Sequence, residues 1–456
     1  MSLQSWTKAL RDGEFRARVE EDILKSLFMV LSKLHEEIRV WSKRGQSAES
    51  VSLGLQLTAE CFRSQRNACV QCTRNQCILR DIGFIRVSVE ILSELIKFIP
   101  WTSQSPVDTL RCGIQFLGNV AVGNQLCKDD IWQHSFPLLF LDLLGLSDEK
   151  AVAYACMVLH TCLDEHKTEQ LAKDEQHLKV ALKVMDLCKT LPEVDWTVLI
   201  ATQHFFKSPE LIEKMYSEMR DPERVTLLEL ISAQLGEGKE DTDECLFPIS
   251  GAQFLASCFQ QQCKAILSLA SGSSSDEEVL VVVRLLDILC EMTSDQRKYM
   301  VLQGHPDLLK TTVELLKEVH FLGKESKNAF TVAQDFSSVG PGGATSSHAP
   351  VSFKAHLIRL IGNLCHCHRE NQNKVRDLDG IALILDNCNI DSNNPFISQW
   401  AVFAIRNILE QNPDNQLIVQ GLKRQGVADD SVLREMGFRV EERDGSLLLK
   451  PIKKDP

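Results

Sequence analysis

The sequence predicts an all-α protein, a right-handed α-solenoid of stacked helical repeats with a small β-hairpin cap at its C-terminal end. Three observations predict it: a length that one core cannot serve, a helix-forming composition, and a pattern that returns along the chain. A single hydrophobic core stops growing near about 250–300 residues. With 456 residues, the chain must hold several domains or form an elongated stack whose core grows by addition. Glycine (23) and proline (14) are sparse, while Leu, Glu, Lys, Gln and Ala abound, and that bias favours helices.

The recurring pattern is clearest near the C-terminus. Leu357-Ile358-Arg359-Leu360-Ile361-Gly362-Asn363-Leu364-Cys365 is followed by Asn371-Gln372. Forty-four residues on, Trp400-Ala401-Val402-Phe403-Ala404-Ile405-Arg406-Asn407-Ile408 is followed by Asn415-Gln416. In both copies the Asn-Gln pair starts eight residues after the first asparagine. Arg66-Asn67 precedes Asn75-Gln76 at the same offset, and Leu117-Gly118-Asn119-Val120 precedes Asn124-Gln125 with a shorter gap. A worn copy is Leu285-Leu286-Asp287-Ile288-Leu289-Cys290, followed by Asp295-Gln296. Glycines 83, 304 and 380 arrive seven or eight residues after three of these pairs. Spacings of 44–52 residues between adjacent copies lie close to the roughly 40–47 of armadillo and HEAT repeats.

Each copy is helical by its own periodicity. Leu357, Leu360, Ile361, Leu364 and Cys365 fall at i, i+3, i+4, i+7 and i+8, a continuous apolar stripe; Leu110, Ile114, Leu117 and Ala121 make its earlier counterpart. One such unit cannot bury its stripe alone, whereas stacked neighbours can, which predicts an armadillo/HEAT-like solenoid with a concave surface. The expected organisation is an N-terminal helical segment (1–50), a first array of repeats (51–322), a Gly/Ser/Pro-rich flexible linker (323–351) and a C-terminal repeat domain (352–456). Stretches 236–244 and 271–278 are expected to be acidic surface loops. In the tail, residues 431–436 suggest a helical turn. Asp444-Gly445 between two short apolar runs signals a β-hairpin, expected to dock on the last repeat.

Bulk chemistry excludes several functions. A net charge of −12 argues against nucleic acid as a partner, since phosphate-backbone binding needs a basic surface. No stretch reaches the roughly 20 apolar residues of a membrane span, so membrane insertion is not expected, and the N-terminus lacks a signal-type apolar core. Lys453-Lys454-Asp455-Pro456 has the form of a dilysine retrieval signal, which needs a membrane-anchored chain and is read as coincidence. Sixteen cysteines are spread through apolar helical patterns, as at Cys112, Cys156 and Cys290, which suits buried free thiols in a reducing, intracellular setting.

Candidate chemistry is thin. Cys365-His366-Cys367-His368 is the most metal-like cluster, but four contiguous residues at a helix end point in different directions, and no second ligand pair is evident. Cys69-x-x-Cys72 follows a helical pattern rather than a strand, unlike a redox motif. No phosphate loop, dinucleotide fingerprint, nucleophile elbow or zincin motif occurs. Neither catalytic residues nor a cofactor are expected. The recurring Asn67, Asn119, Asn363 and Asn407 remain, with Arg359 and Phe403 one turn before two of them. Amides carry both donor and acceptor, so a ladder of them can hold an extended peptide backbone. The alternative is that each asparagine braces its own inter-repeat turn.

Taken together, LIRLIGNLC (357–365), NQNKV, DGIALILDNCN, NPF and AIRNI resemble the ataxin-10 family. So do ECFRSQRNACVQC (from Glu60), RCGIQFLGN (from Arg111), KSPELIEKM (from Lys207), RVTLLEL (from Arg224), RLLDILCEMT (from Arg284) and MGFRVEERDGSLLLK. The resemblance spans residues 51–450. It implies an armadillo-like, non-enzymatic scaffold or adaptor that is cytoplasmic and perinuclear, and found at the centrosome or basal body and midbody. It further implies roles in neuronal survival, neurite outgrowth and cytokinesis, and stimulation of protein O-GlcNAc glycosylation. O-GlcNAc transferase and a G-protein β subunit are the implied partners, with homo-oligomerisation also expected. The alternative function is a regulator that self-assembles through its C-terminal domain. Nuclear-import receptors place tryptophan one turn before the ladder asparagine; here Arg63, Gln115, Arg359 and Phe403 stand there, so a basic-cargo groove is not expected.

Overall fold

The computed structural model describes residues 2–44, 51–98, 104–237, 247–270, 276–294, 298–332, 351–422, 438–443 and 446–451. Among these, helices form the body of the chain. Nine of them stack side by side in one row, each packing on the next: Leu3–Ala9, Ser52–Cys69, Gln104–Ala121, Glu149–Cys162, Asp195–Gln203, Asp221–Glu237, Asp276–Ser294, Phe353–Cys365 and Ile397–Leu409. These are called ladder helices below. In the regular units a ladder helix is followed by a short second helix and then a third. Ser52–Cys69 is followed by Thr73–Asp81 and Phe84–Phe98, and Phe353–Cys365 by Arg369–Asp377 and Gly380–Asp386. One continuous apolar core runs from Leu10 to Ile408, as expected when no unit can bury its stripe alone.

Local chemistry starts the helices where the sequence places cap residues. Asp148, Asp164 and Ser208 accept hydrogen bonds from the amides of Ala151, Lys167 and Leu211, satisfying donors that an open helix end would expose. Ladder helices approach closely where side chains are absent. A Cβ on Gly362 would lie 3.0 Å from Ala404 Cα and from the Phe403 ring. Aromatic rings fill the wider gaps, as where Phe84 meets Phe116 at 4.9 Å between centroids.

The expected boundaries shift in two places. The first 44 residues are the opening of the stack rather than a separate segment: Leu3–Ala9 packs on Ser52–Cys69, and Glu21–Arg44 on Phe84–Phe98. The expected linker at 323–351 begins too early, because the helix Leu308–Glu325 runs through its start. Residues 326–332 then fold back. Asn328 Nδ2 donates to Leu322 O (2.7 Å), Phe330 is buried, and its carbonyl accepts from Lys354 Nζ (3.1 Å). A phenylalanine in a polar stretch is what the composition reading overlooked. Residues 333–350 lie outside the described set, yet the ladder passes across the interval, since Phe353–Cys365 packs on Asp276–Ser294.

Of the two expected loops, Gly236 still belongs to the helix Asp221–Glu237 and Asp276 opens the next ladder helix. Residues 238–246 and 271–275 are outside the described set, as are the 431–436 turn, the Asp295-Gln296 pair and the dilysine residues. In the tail, Phe438–Arg443 and Ser446–Pro451 pair antiparallel, from Phe438 opposite Pro451 to Arg443 opposite Ser446. Among the described residues no helix is long and apolar enough to cross a membrane.

Candidate interaction face

The recurring asparagines do their hydrogen bonding between repeats. Asn119 Nδ2 donates to Arg66 O (3.2 Å) and Asn407 Nδ2 to Gly362 O (3.0 Å), in each case the residue just before the asparagine of the preceding ladder helix. Asn67 reaches Thr7 O (2.9 Å), and Asn363 reaches Cys290 O (3.2 Å) and Thr293 Oγ1 (3.0 Å). Asn67, Asn363 and Asn407 are buried and Asn119 is half-buried. Their donor amides are therefore engaged with neighbouring backbone.

The glutamines of the Asn-Gln pairs close helix ends. Gln372 Nε2 lies within hydrogen-bonding distance of Cys365 O (3.3 Å) in its own unit, and of Asn407 O (2.9 Å) and Glu410 O (3.3 Å) in the next. Gln76 Nε2 repeats this with Cys69 O (3.3 Å), Asn119 O (3.0 Å) and Val122 O (3.0 Å). Gln303, which follows Leu302 rather than an asparagine, makes the onward contacts alone, to Asn363 O (3.3 Å) and His366 O (2.8 Å). The last carbonyls of a helix have no partner inside it, so one side chain satisfies two helix ends. Asn75, Asn371 and Asn415 bind the carbonyl seven residues back and a carbonyl of the preceding repeat.

One sequence match moves register. Asn124 does not correspond to Asn75, Asn371 and Asn415. It caps its short helix, accepting from Cys127 N (3.2 Å) and donating to Gln76 Oε1 (3.4 Å), as Asn412 accepts from Asn415 N (3.2 Å) and donates to Gln372 Oε1 (3.1 Å). The residue eight after Asn119 is Cys127, whose Sγ lies 3.7 Å from Gln76 O, where Asn415 contacts Gln372 O. The shorter gap was a thiol standing in for an amide.

Charged and aromatic side chains pair across the junctions of the ladder row. Arg66 bonds Gln115, and Arg111 pairs with Asp148 across the next junction (Nε–Oδ1 3.0 Å). Burial works against the Asp148 carboxylate, but Arg111 and the Ala151 amide hold its pKa below the usual range. Further along, Arg284 meets Glu229 (3.1 Å), and His356 meets Asp287 (2.7 Å). Arg359 Nη2 pairs with Glu291 (3.1 Å) while its guanidinium lies 4.9 Å from the centre of the Trp400 ring. Phe403 stands edge-on to Trp400 at 5.7 Å and covers Gly362. Arg359 and Phe403 thus share one half-buried cluster with Glu291 and Trp400, separate from the asparagine donors. Trp400 was overlooked, although it precedes Asn407 by seven residues, two helical turns, which puts it on the asparagine's side.

The cysteines divide by environment. Burial pushes the Cys61, Cys156, Cys162 and Cys258 thiols up to about 12, so these behave as small apolar side chains. Cys69 is buried and Cys72 half-buried, each a free thiol. Of the contiguous Cys/His run, Cys365 is buried in the core and His368 caps a helix by accepting from Asn371 N (3.2 Å). His366 and Cys367 turn outward together, their Nε2 and Sγ 3.5 Å apart.

The family described as "Spinocerebellar ataxia type 10 protein domain" matches residues 353–450. The chain is 46% identical to ataxin-10 of Xenopus tropicalis, over 99% of this chain and 92% of that one. It is 40% identical to ataxin-10 of Bos taurus and 39% to that of Homo sapiens, in both cases over 100% of this chain and 94% of the relative.

Proposed function

The chain belongs to the ataxin-10 family, and from that premise we propose that it is a non-enzymatic adaptor that docks protein partners along its ladder face. Its three-helix units are of the armadillo type in this reading. The family resemblance supplies the biology: O-GlcNAc transferase and a G-protein β subunit as partners, and stimulation of O-GlcNAc glycosylation. It also supplies roles in neurite outgrowth, neuronal survival and cytokinesis, at cytoplasmic, perinuclear, centrosomal or midbody sites. The observation that supports the face is the Glu291–Arg359–Trp400–Phe403 cluster, because half-buried aromatic and arginine side chains are the types that dominate binding energy at protein interfaces. The asparagines contribute scaffold geometry rather than peptide contacts.

The test separates those roles. With purified partner, the Arg359→Ala/Trp400→Ala double variant should bind at least about tenfold more weakly while keeping its circular dichroism spectrum. Asn407→Ala should lower stability yet retain affinity at temperatures where it stays folded. Undiminished binding by the folded double variant would eliminate this face.

A second reading has its own support. The last described repeat exposes Val402 (67%), Leu417 (64%) and Leu422 (50%), an apolar end of the kind solenoids cover. In this reading the C-terminal domain self-associates, and sedimentation showing only monomer across micromolar concentrations would remove it.

A further inference from the structure

We propose that His366, Cys367 and Glu410 form a binding site for a zinc-class divalent cation at the junction of the last two described repeats. Each residue offers one ligand atom, an imidazole nitrogen, a thiol sulfur and a carboxylate oxygen, and all three atoms lie within 4.8 Å of one another. The repeat creates this meeting. His366 and Glu410 are 44 residues apart and occupy the same position, the residue directly after a ladder helix, in adjacent units. Stacking sets them side by side, which no reading of the contiguous Cys-His run alone could show.

The His366–Cys367 pair suits zinc before any rearrangement. With Zn–N near 2.0–2.1 Å and Zn–S near 2.3 Å, a tetrahedral angle puts the two ligand atoms roughly 3.5 Å apart. His366 Nε2 and Cys367 Sγ are 3.5 Å apart. Glu410 closes the remaining gap by side-chain rotation. The backbone beneath is fixed: Gln303 holds His366 O at 2.8 Å, and Gln372 holds Glu410 O at 3.3 Å. Cys367 sits at φ +49, as Gln71 and Gln411 do at the equivalent bends (+49 and +52). The left-handed bend is thus a property of the repeat, and here it carries a thiol.

The donor set also selects the ion. Thiolate and imidazole favour zinc, cobalt or copper(I) over magnesium and calcium, which prefer oxygen alone. On binding, the Cys367 S–H bond breaks, its proton passes to solvent, and the sulfur lone pair forms the bond to the metal. Thiolate and carboxylate then balance the dication. Cys367 is exposed, so the fourth position is open to water.

The experiment uses the full chain, reduced with a phosphine and stripped of metal, titrated with Co2+ and then Zn2+. The expected result is a saturable one-equivalent site with a sulfur-to-cobalt charge-transfer band in the near ultraviolet, bleached by Zn2+. Cys367→Ser should abolish the band and weaken Zn2+ binding at least about tenfold, with an unchanged circular dichroism spectrum. Glu410→Gln should weaken binding and keep the band. A band that survives in Cys367→Ser places the metal on other cysteines and overturns the proposal, as does the absence of saturable binding by the unsubstituted chain.

Discussion

Two junctions in the chain perform the same task with different surfaces. One joins the ladder helices Ser52–Cys69 and Gln104–Ala121, the other Phe353–Cys365 and Ile397–Leu409. Inside, they share the same ties: Asn119 and Asn407 bond back to the preceding helix, and Gln76 and Gln372 each bridge two helix ends, with Cys127 standing where Asn415 does. Outside, they diverge. Arg66 meets Gln115 at the first, whereas Arg359 stacks on Trp400 beside Phe403 at the second. The equivalent bend positions hold Val70-Gln71 and Val122-Gly123 at one junction, and His366-Cys367 and Glu410-Gln411 at the other. The residues that make a repeat stack are separable from those that give a junction its chemistry.

The strongest way to break that comparison is to remove a bridging glutamine. Gln372→Ala and Gln76→Ala each strand buried carbonyls on two helices and should each lower unfolding free energy by about 2–4 kcal/mol. Chemical denaturation measures it, and a large loss at only one junction would end the equivalence. Asn415→Cys sharpens it by installing what the earlier junction already uses at Cys127. Trading two amide donations (3.0 and 3.1 Å) for one weak thiol contact should cost about 1–2 kcal/mol. Smallest is the outward layer: Arg66→Ala and Arg359→Ala should each shift stability by about 1 kcal/mol or less, because a half-exposed charge gains little from its partners.

The fold was legible where the repeat kept its amides. Asn67, Asn119, Asn363 and Asn407 each stand five residues before the cap position of the next short helix, at 72, 124, 368 and 412, and that regularity survives in sequence. Between them the signal fades for physical reasons. The helix Glu149–Cys162 has Leu159 five before its cap Asp164, and three after that cap Lys167 replaces the amide. Lys167 is buried, its ammonium holding Asp129 and Asp164 at 2.7 Å each. An ion pair and a leucine hold the place of two amides, so the geometry persists while the letters change. The outward cluster was half legible: Arg359 and Phe403 came from the one-turn offset, but Glu291 and Trp400 join them only through stacking of helices distant in sequence.

The bridging glutamines also bear on how the stack comes apart. Gln76 and Gln372 each satisfy the terminal carbonyls of two successive ladder helices at once, so at these junctions fraying one helix end frees the neighbour's carbonyls in the same step. Helix melting and separation of repeats become a single event, and the cooperative unit is the pair of neighbours rather than the individual repeat. Hydrogen exchange would then report protection in blocks that straddle the junctions, with boundaries inside the repeats and not between them.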